Sequence, residues 1–265
     1  RKTPMRDQMT DELTEAAKSR GESKATESDQ APSVDLSEKG MKEGRPISLD
    51  RRLFMKFTGF GECADVEAAA KALSDAQVEG ALYLDTNDPN GIGIIALSED
   101  PEHFVTTLRD VFSRPPFQSM KRKPEFDMLG RTYSIGYEPN LEDTLIDKPQ
   151  QKILNPQFSW AVWYPLQRSK GFYVLPDAKQ RQILAEHGSI GKRYGFAGLA
   201  ADIRLACHGL DKHDNDFVIG LLGPDLFPLS AVVQEMRKTE QTSQFLDSLG
   251  PFFIGKVAWQ SPKTL

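Results

Sequence analysis

Residues 81–97 read ALYLDTNDPNGIGIIAL, two apolar runs on either side of the turn Asn87-Asp88-Pro89-Asn90-Gly91. Short runs rich in Leu, Ile and Tyr, punctuated by Asn, Asp, Pro and Gly, predict neighbouring strands at 81–85 and 92–97. Upstream lie a helical stretch from Asp65 to Ala76 and a strand at 53–60 that contains Leu53-Phe54-Met55-Lys56-Phe57. Downstream, Asp100-Pro101 opens a second helix, because Pro fits the first helical turn, and a strand at 131–137 follows. The order is β-α-β-β-α-β.

The rest of the chain repeats that order. A strand at 158–164 precedes a helix opened by Pro176-Asp177, strands at 199–207 and 216–222 flank a Gly-containing turn, and a helix over about 226–246 leads to a strand at 252–258. Each repeat is a ferredoxin-like unit. Two such halves in one chain predict an α+β fold in which the sheets form an α/β-barrel-type domain with helices outside. The halves span about 47–137 and 158–265. Residues 138–157, rich in Pro and Asp, read as a long surface connection that drapes over the pocket. Residues 1–46 lack any aromatic and mix both charges, so they read as a flexible tail, with one helix around Asp11 to Arg20, ahead of a domain at 47–265.

Composition narrows the function. Among 265 residues, 39% are hydrophobic and 15 are Phe, enough for a sizeable core. Lys and Arg total 33 against 38 Asp and Glu, and this slight anionic balance argues against nucleic acid as a partner. Lys121, Arg122 and Lys123 form the one basic cluster, read as a solvated loop without a role. Cys63 and Cys207 stand alone, without disulfide or thiolate-metal spacing, which suits a reducing cytoplasm. No stretch approaches the roughly 20 apolar residues of a membrane span. Arg1, rather than Met, opens the chain, which leaves room for a removed leader.

Two polar residues fall on apolar helical stripes. Ile183, His187, Ile190 and Tyr194 are spaced four, three and four apart, as are Leu229, Val233, Met236 and Glu240. Both His187 and Glu240 are therefore expected to point inward. A buried carboxylate needs a donor and a buried imidazole needs its nitrogens satisfied, so the economical expectation pairs them. Glu240 would accept the Nδ1 proton and leave Nε2 as a basic lone pair, the arrangement behind metal-ligating histidines, haem included. A satisfied core histidine is the competing reading. His103, His208 and His213 show no ligand-like spacing.

The segments Trp163-Tyr164-Pro165, Glu186-His187-Gly188-Ser189-Ile190-Gly191-Lys192-Arg193-Tyr194, Gly209-Leu210-Asp211, Glu235-Met236-Arg237 with Glu240, and Phe252-Phe253-Ile254-Gly255 follow one another in a familiar order. Over roughly its last 110 residues the chain resembles the chlorite dismutase and coproheme decarboxylase family. The resemblance implies haem b or coproheme as cofactor, His187 as proximal iron ligand and Glu240 as its support. It also implies peroxide or chlorite as the small-molecule oxidant, and homo-oligomeric rings, commonly pentamers. Tyr164 matches the tyrosine that bacterial coproheme decarboxylases oxidise with peroxide while turning two propionates into vinyl groups. Arg168 stands where the family carries a Lys near a propionate.

One departure concerns the distal side. Seven residues before Gly209, where chlorite dismutases need Arg and decarboxylases often carry Gln, stands Asp202. Arg204 lies two residues on, hence on the same strand face. Because the segment from His187 to Gly209 is two residues longer than in the family, either Asp202 or Arg204 could lie over iron, or the two could form an ordinary surface ion pair. The resemblance thus points to a haem-dependent oxidoreductase, coproheme decarboxylase-like first. A chlorite dismutase-like enzyme and a non-catalytic haem-binding or haem-delivery protein are the alternatives.

Overall fold

The computed structural model describes residues 33–262. The helix expected around Asp11 to Arg20 lies outside them. A compact unit begins at Ser37. Its first element is a hairpin of β1 (Glu38–Lys42) and β2 (Arg45–Leu49), so ordered backbone starts inside the stretch read as tail. Glu43 and Gly44 make its turn in the left-handed region, and Ile47 and Leu49 pack against the main core.

The N-terminal half runs β3 (Phe54–Gly61), α1 (Val66–Asp75), β4 (Gly80–Asp85), β5 (Ile92–Ser98), a 3-10 turn at Pro101–Phe104, α2 (Thr107–Phe112) and β6 (Lys121–Arg131). Asp65 caps α1 by accepting from Ala68 N at 2.9 Å. β6 overturns two expectations: the strand placed at 131–137 runs ten residues earlier, and Lys121–Lys123 lie on it. Lys123 Nζ there pairs with Asp85 at 2.9 Å and Asp88 at 2.6 Å, tying β6 to the β4–β5 turn.

The connection is not a surface drape. A wide helical turn (Asp143–Asp147) runs into α3 (Lys148–Ile153), and Leu141, Leu145, Ile146, Ile153 and Leu154 are buried in the main core. Pro and Asp mask a sparse apolar stripe that gains its burial only from the barrel it meets.

The C-terminal half runs β7 (Trp160–Arg168), α4 (Lys170–Tyr173), α5 (Asp177–Phe196), β8 (Ala201–Ala206), β9 (Phe217–Gly223), α6 (Leu226–Met236), α7 (Glu240–Gln244), β10 (Leu246–Leu249) and β11 (Phe253–Gln260). The long last helix expected at 226–246 is thus two short helices and an extra strand. Both halves have the ferredoxin-like strand order, β4-β5-β3-β6 and β8-β9-β7-β11. The β6–β8 and β11–β4 pairings join them into a closed antiparallel barrel, with β10 as an added edge. Inside, Phe57, Trp163 and Phe253 meet at ring separations of 4.9 and 5.8 Å around Phe57. Strand period two then forces the alternate residues of each strand onto the helix-covered outer face.

Candidate haem site

On β7 the inward residues are Ala161 and Trp163, so Val162, Tyr164, Leu166 and Arg168 face outward. Register extends this face across three strands. Tyr164 pairs with Ile219 and Ile219 with Arg204; Val162 pairs with Leu221 and Leu221 with Asp202; Leu166 pairs with Phe217 and Phe217 with Ala206. Tyr164 and Arg204 therefore occupy one row, two strands or roughly 10 Å apart, with Ile219 between them. Asp202 and Arg204 share the outer face, as their spacing predicts.

Helix α5 lies over this face. Asp177 in its first turn and Arg193 in its last suit the helix dipole, yet of its 20 residues Ile183 alone is fully buried. Ile190 and Tyr194 pack with Val162, Tyr164 and Leu221. One turn before Ile190, His187 points the same way. Burial lowers its pKa to about 4, the cations Arg204 and Arg168 add to the shift, and Asp202 and Glu186 oppose it. The fold thus gathers His187, Arg168, Asp202 and Arg204 from three elements into one electrostatic neighbourhood.

Glu240 does not meet His187. Its carboxylate binds Lys179 Nζ at 2.8 Å, and its backbone N donates to Glu186 Oε2 at 3.1 Å. The reason is local. Thr239 takes extended backbone (φ −70°, ψ 152°) and caps α7, breaking the continuous stripe on which Glu240 was placed. Thr239 itself, 2% exposed, stands 3.2 Å from His187 Nδ1. Met236 O, at 2.8 Å, is the nearest acceptor for the Thr239 hydroxyl, and with that bond made its oxygen accepts from the imidazole. In that arrangement Nδ1 carries the hydrogen and Nε2 the lone pair. Nε2 has no hydrogen bond to a described residue. A neutral hydroxyl does here what was expected of a carboxylate. The cap preference of Thr ahead of an acidic first turn was the signal that could have found it.

Two aromatic rings hold Arg168. Its guanidinium carbon lies 4.4 Å from the Phe172 ring centre and 4.7 Å from that of Phe217, and its backbone N donates to Asp216 Oδ2 at 2.7 Å. Asp216 also meets His208 Nδ1 at 3.2 Å. Burial weakens the guanidinium's hold on its proton, and Arg168 Nε is buried without a partner. Such a group lacks an acceptor, preferably anionic.

Asp202 presents no bare anion. Arg204 Nε lies 3.2 Å from Oδ2, Lys152 Nζ lies 3.8 Å from Oδ1, and Lys152 donates to Asp202 O at 2.5 Å. Tyr164 is 6% exposed and stacks on Phe252 at 4.4 Å and 23°. Burial first, and Asp202 second, raise its pKa well above that of an ordinary phenol, so it stays protonated. Tyr133, absent from the sequence reading, lies 5.7 Å from Phe217 with its ring tilted by 45° and feels both Arg204 and Arg168.

A profile of the chlorite dismutase family matches residues 103–258, more than half of the chain. The chain belongs to the chlorite dismutase family. It is 28% identical over 106 residues to a coproheme decarboxylase of Staphylococcus saprophyticus, a match covering 38% of this chain and 41% of that protein. A heme-binding protein from Thermus thermophilus superposes with a TM-score of 0.62 at 19% identity, over 79% of this chain and 92% of the other. A chlorite dismutase variant from Candidatus Nitrospira defluvii does so with 0.58 at 12%, over 79% and 93%. At these identities the superpositions establish a shared fold.

The donor set fits an iron porphyrin. Among the described residues no cluster of three or more His, Cys, Asp or Glu could hold a bare metal ion, so iron at His187 would have to bring its own ring of donors. The unpartnered Nε of Arg168 suits a propionate. A cavity of about 140 Å³ adjoins Asp202, Arg204 and Lys152 on this side of the barrel, and His187 is not among its lining residues. No helix among the described residues is long and apolar enough to cross a membrane.

Proposed function

We infer that this protein is a haem- or coproheme-dependent oxidoreductase of coproheme decarboxylase type, with peroxide as oxidant. The observation that carries the reading is the 3.2 Å approach of His187 Nδ1 to the Thr239 hydroxyl, which favours the tautomer that leaves the Nε2 lone pair for a metal. An iron porphyrin on that lone pair supplies the redox chemistry; the chain binds it, orients it and sets its electrostatics. Arg168 holds a propionate. Tyr164, kept neutral by burial, supplies a phenol hydrogen on the porphyrin-facing side of the sheet. Arg204 provides a cation whose charge Asp202 tempers. Glu240 acts at one remove, through Lys179 and Glu186, on the helix that carries His187. Helix α5 has little buried surface of its own, so lifting it to seat a flat ligand costs less than displacing a core helix.

The Asp202–Arg204 ion pair argues against a chlorite dismutase-type reaction, in which an uncompromised distal cation is expected. The test is reconstitution with coproheme and with haem b. A five-coordinate histidine spectrum, lost in His187→Ala, supports the ligand assignment; an unchanged spectrum in that variant removes it. Peroxide should then yield a two-vinyl product by mass spectrometry, abolished in Tyr164→Phe with binding intact. Porphyrin binding without turnover would leave the haem-binding reading, and rapid oxygen release from chlorite would replace both. The unpaired edge of β10 suits assembly into homo-oligomers, to be checked by light scattering.

A further inference from the structure

A cavity of about 360 Å³ lies in the N-terminal half between α2 and the outer face of β3 and β6. It shares no lining residue with the His187 neighbourhood. Its floor is Thr58, fully buried, whose hydroxyl finds no hydrogen-bond partner. Packing alone would favour Val there, which has the same shape and no polar atom. The gap has a backbone cause: β6 pairs Met128 with Phe57 and then Lys123 with Gly59, skipping Thr58 at a bulge.

The walls combine aromatic rings with positive charge. Phe60, Phe112 and Phe117 form a triangle with centroid separations of 4.9, 5.1 and 5.3 Å. Arg122 lies over Phe60 at 5.0 Å and Phe112 at 5.7 Å. Lys56 comes up from the same face of β3 as Thr58. Asp127, in the bulge, is the one carboxylate shared by these two cations, 2.6 Å from Arg122 and 3.8 Å from Lys56. Arg109 adds a further cation to the lining. Positive charge thus exceeds negative at an aromatic cavity whose deepest polar atom lacks a partner. Burial lowers the Lys56 pKa, with Arg122 and Lys212 adding to the shift and Asp127 and Asp211 opposing it.

We propose that this cavity is a second ligand site, for a small aromatic carboxylate whose ring rests against the Phe60–Phe112–Phe117 cluster and whose anionic or carbonyl oxygens meet Arg122, Lys56 and Thr58. Its volume falls at the lower end of the roughly 300–1,000 Å³ of ordinary ligand pockets. The proposal is independent of porphyrin binding.

The experiment is calorimetric titration of the full chain with 2-naphthoate, beside uncharged 2-naphthamide. The carboxylate should bind at least about tenfold more tightly than the amide, and Arg122→Gln should remove most of that advantage. Thr58→Val should weaken binding by about fivefold or more while raising the urea midpoint, since it removes an unpaired buried hydroxyl; Thr58→Ser should retain binding. His187→Ala should bind 2-naphthoate as the parent does. No binding at millimolar probe, equal affinity for acid and amide, or affinity unchanged in both Thr58→Val and Arg122→Gln would overturn the proposal.

Discussion

Replacing Thr239 by Val tests whether a hydroxyl, rather than the neighbouring carboxylate, sets the orientation of His187. Val keeps the branched shape, so no cavity opens, but it leaves Nδ1–H without an acceptor in a half-buried position. An unsatisfied donor of this kind costs about 1–3 kcal/mol. The lost cap on α7 adds about 0.5 kcal/mol, the low end for caps, because its bond to Thr242 N is long at 3.4 Å. The expected loss is about 2 kcal/mol by urea unfolding of the ligand-free protein, with Thr239→Ser restoring most of it. The second readout is the ring itself. Long-range proton–nitrogen correlation at neutral pH should show His187 protonated at Nδ1 in the parent and in Thr239→Ser, and no longer predominantly so in Thr239→Val. Glu240→Gln, which loses only a partly exposed pair with Lys179, should cost less than about 1 kcal/mol and leave the tautomer unchanged. Stability within about 0.5 kcal/mol of the parent in Thr239→Val, with Nδ1–H retained, would refute the reasoning.

Further expectations follow from other parts of the structure. A Cβ on Gly220 would sit 2.6 Å from two ring carbons of Trp163, so Gly220→Ala should destabilise by about 1–3 kcal/mol, read from the denaturant midpoint. Lys123→Met strands the Asp85 carboxylate, whose side chain is 2% exposed; it should cost about 3 kcal/mol or more, and adding Asp85→Asn should recover much of the loss. His187 protonates near 6.5 in an unfolded chain but near 4 in the fold, so the unfolded state takes up the proton first as pH falls. The ligand-free protein should therefore lose up to about 3 kcal/mol between pH 6.5 and 4, with full stability above that window, and His187→Gln should flatten this dependence in urea titrations across the range.

The strands and the helices at 65–76 and 177–196 were legible because their apolar periods and their turn residues agree, and each is decided within a few neighbours. The inward direction of His187 was legible for the same reason, since a helical face depends on spacing alone. Asp202 and Arg204 could be assigned to one strand face by the period of two. What lay beyond the sequence was every relation between elements. A continuous stripe from Leu229 to Glu240 conceals a helix end that Thr239 creates, and only the approach of α5 shows that its hydroxyl reaches His187. Likewise, Leu141, Leu145, Ile146, Ile153 and Leu154 become core only because the fold brings them against the apolar residues of the barrel. Lys123 becomes structural because Asp85 and Asp88 arrive from the β4–β5 turn, while Arg122 pairs with Asp127 on its own strand. Local propensity fixes which elements form and which way a side chain points; partners across tens of residues are selected by burial and charge in the assembled fold, which no short window of sequence contains.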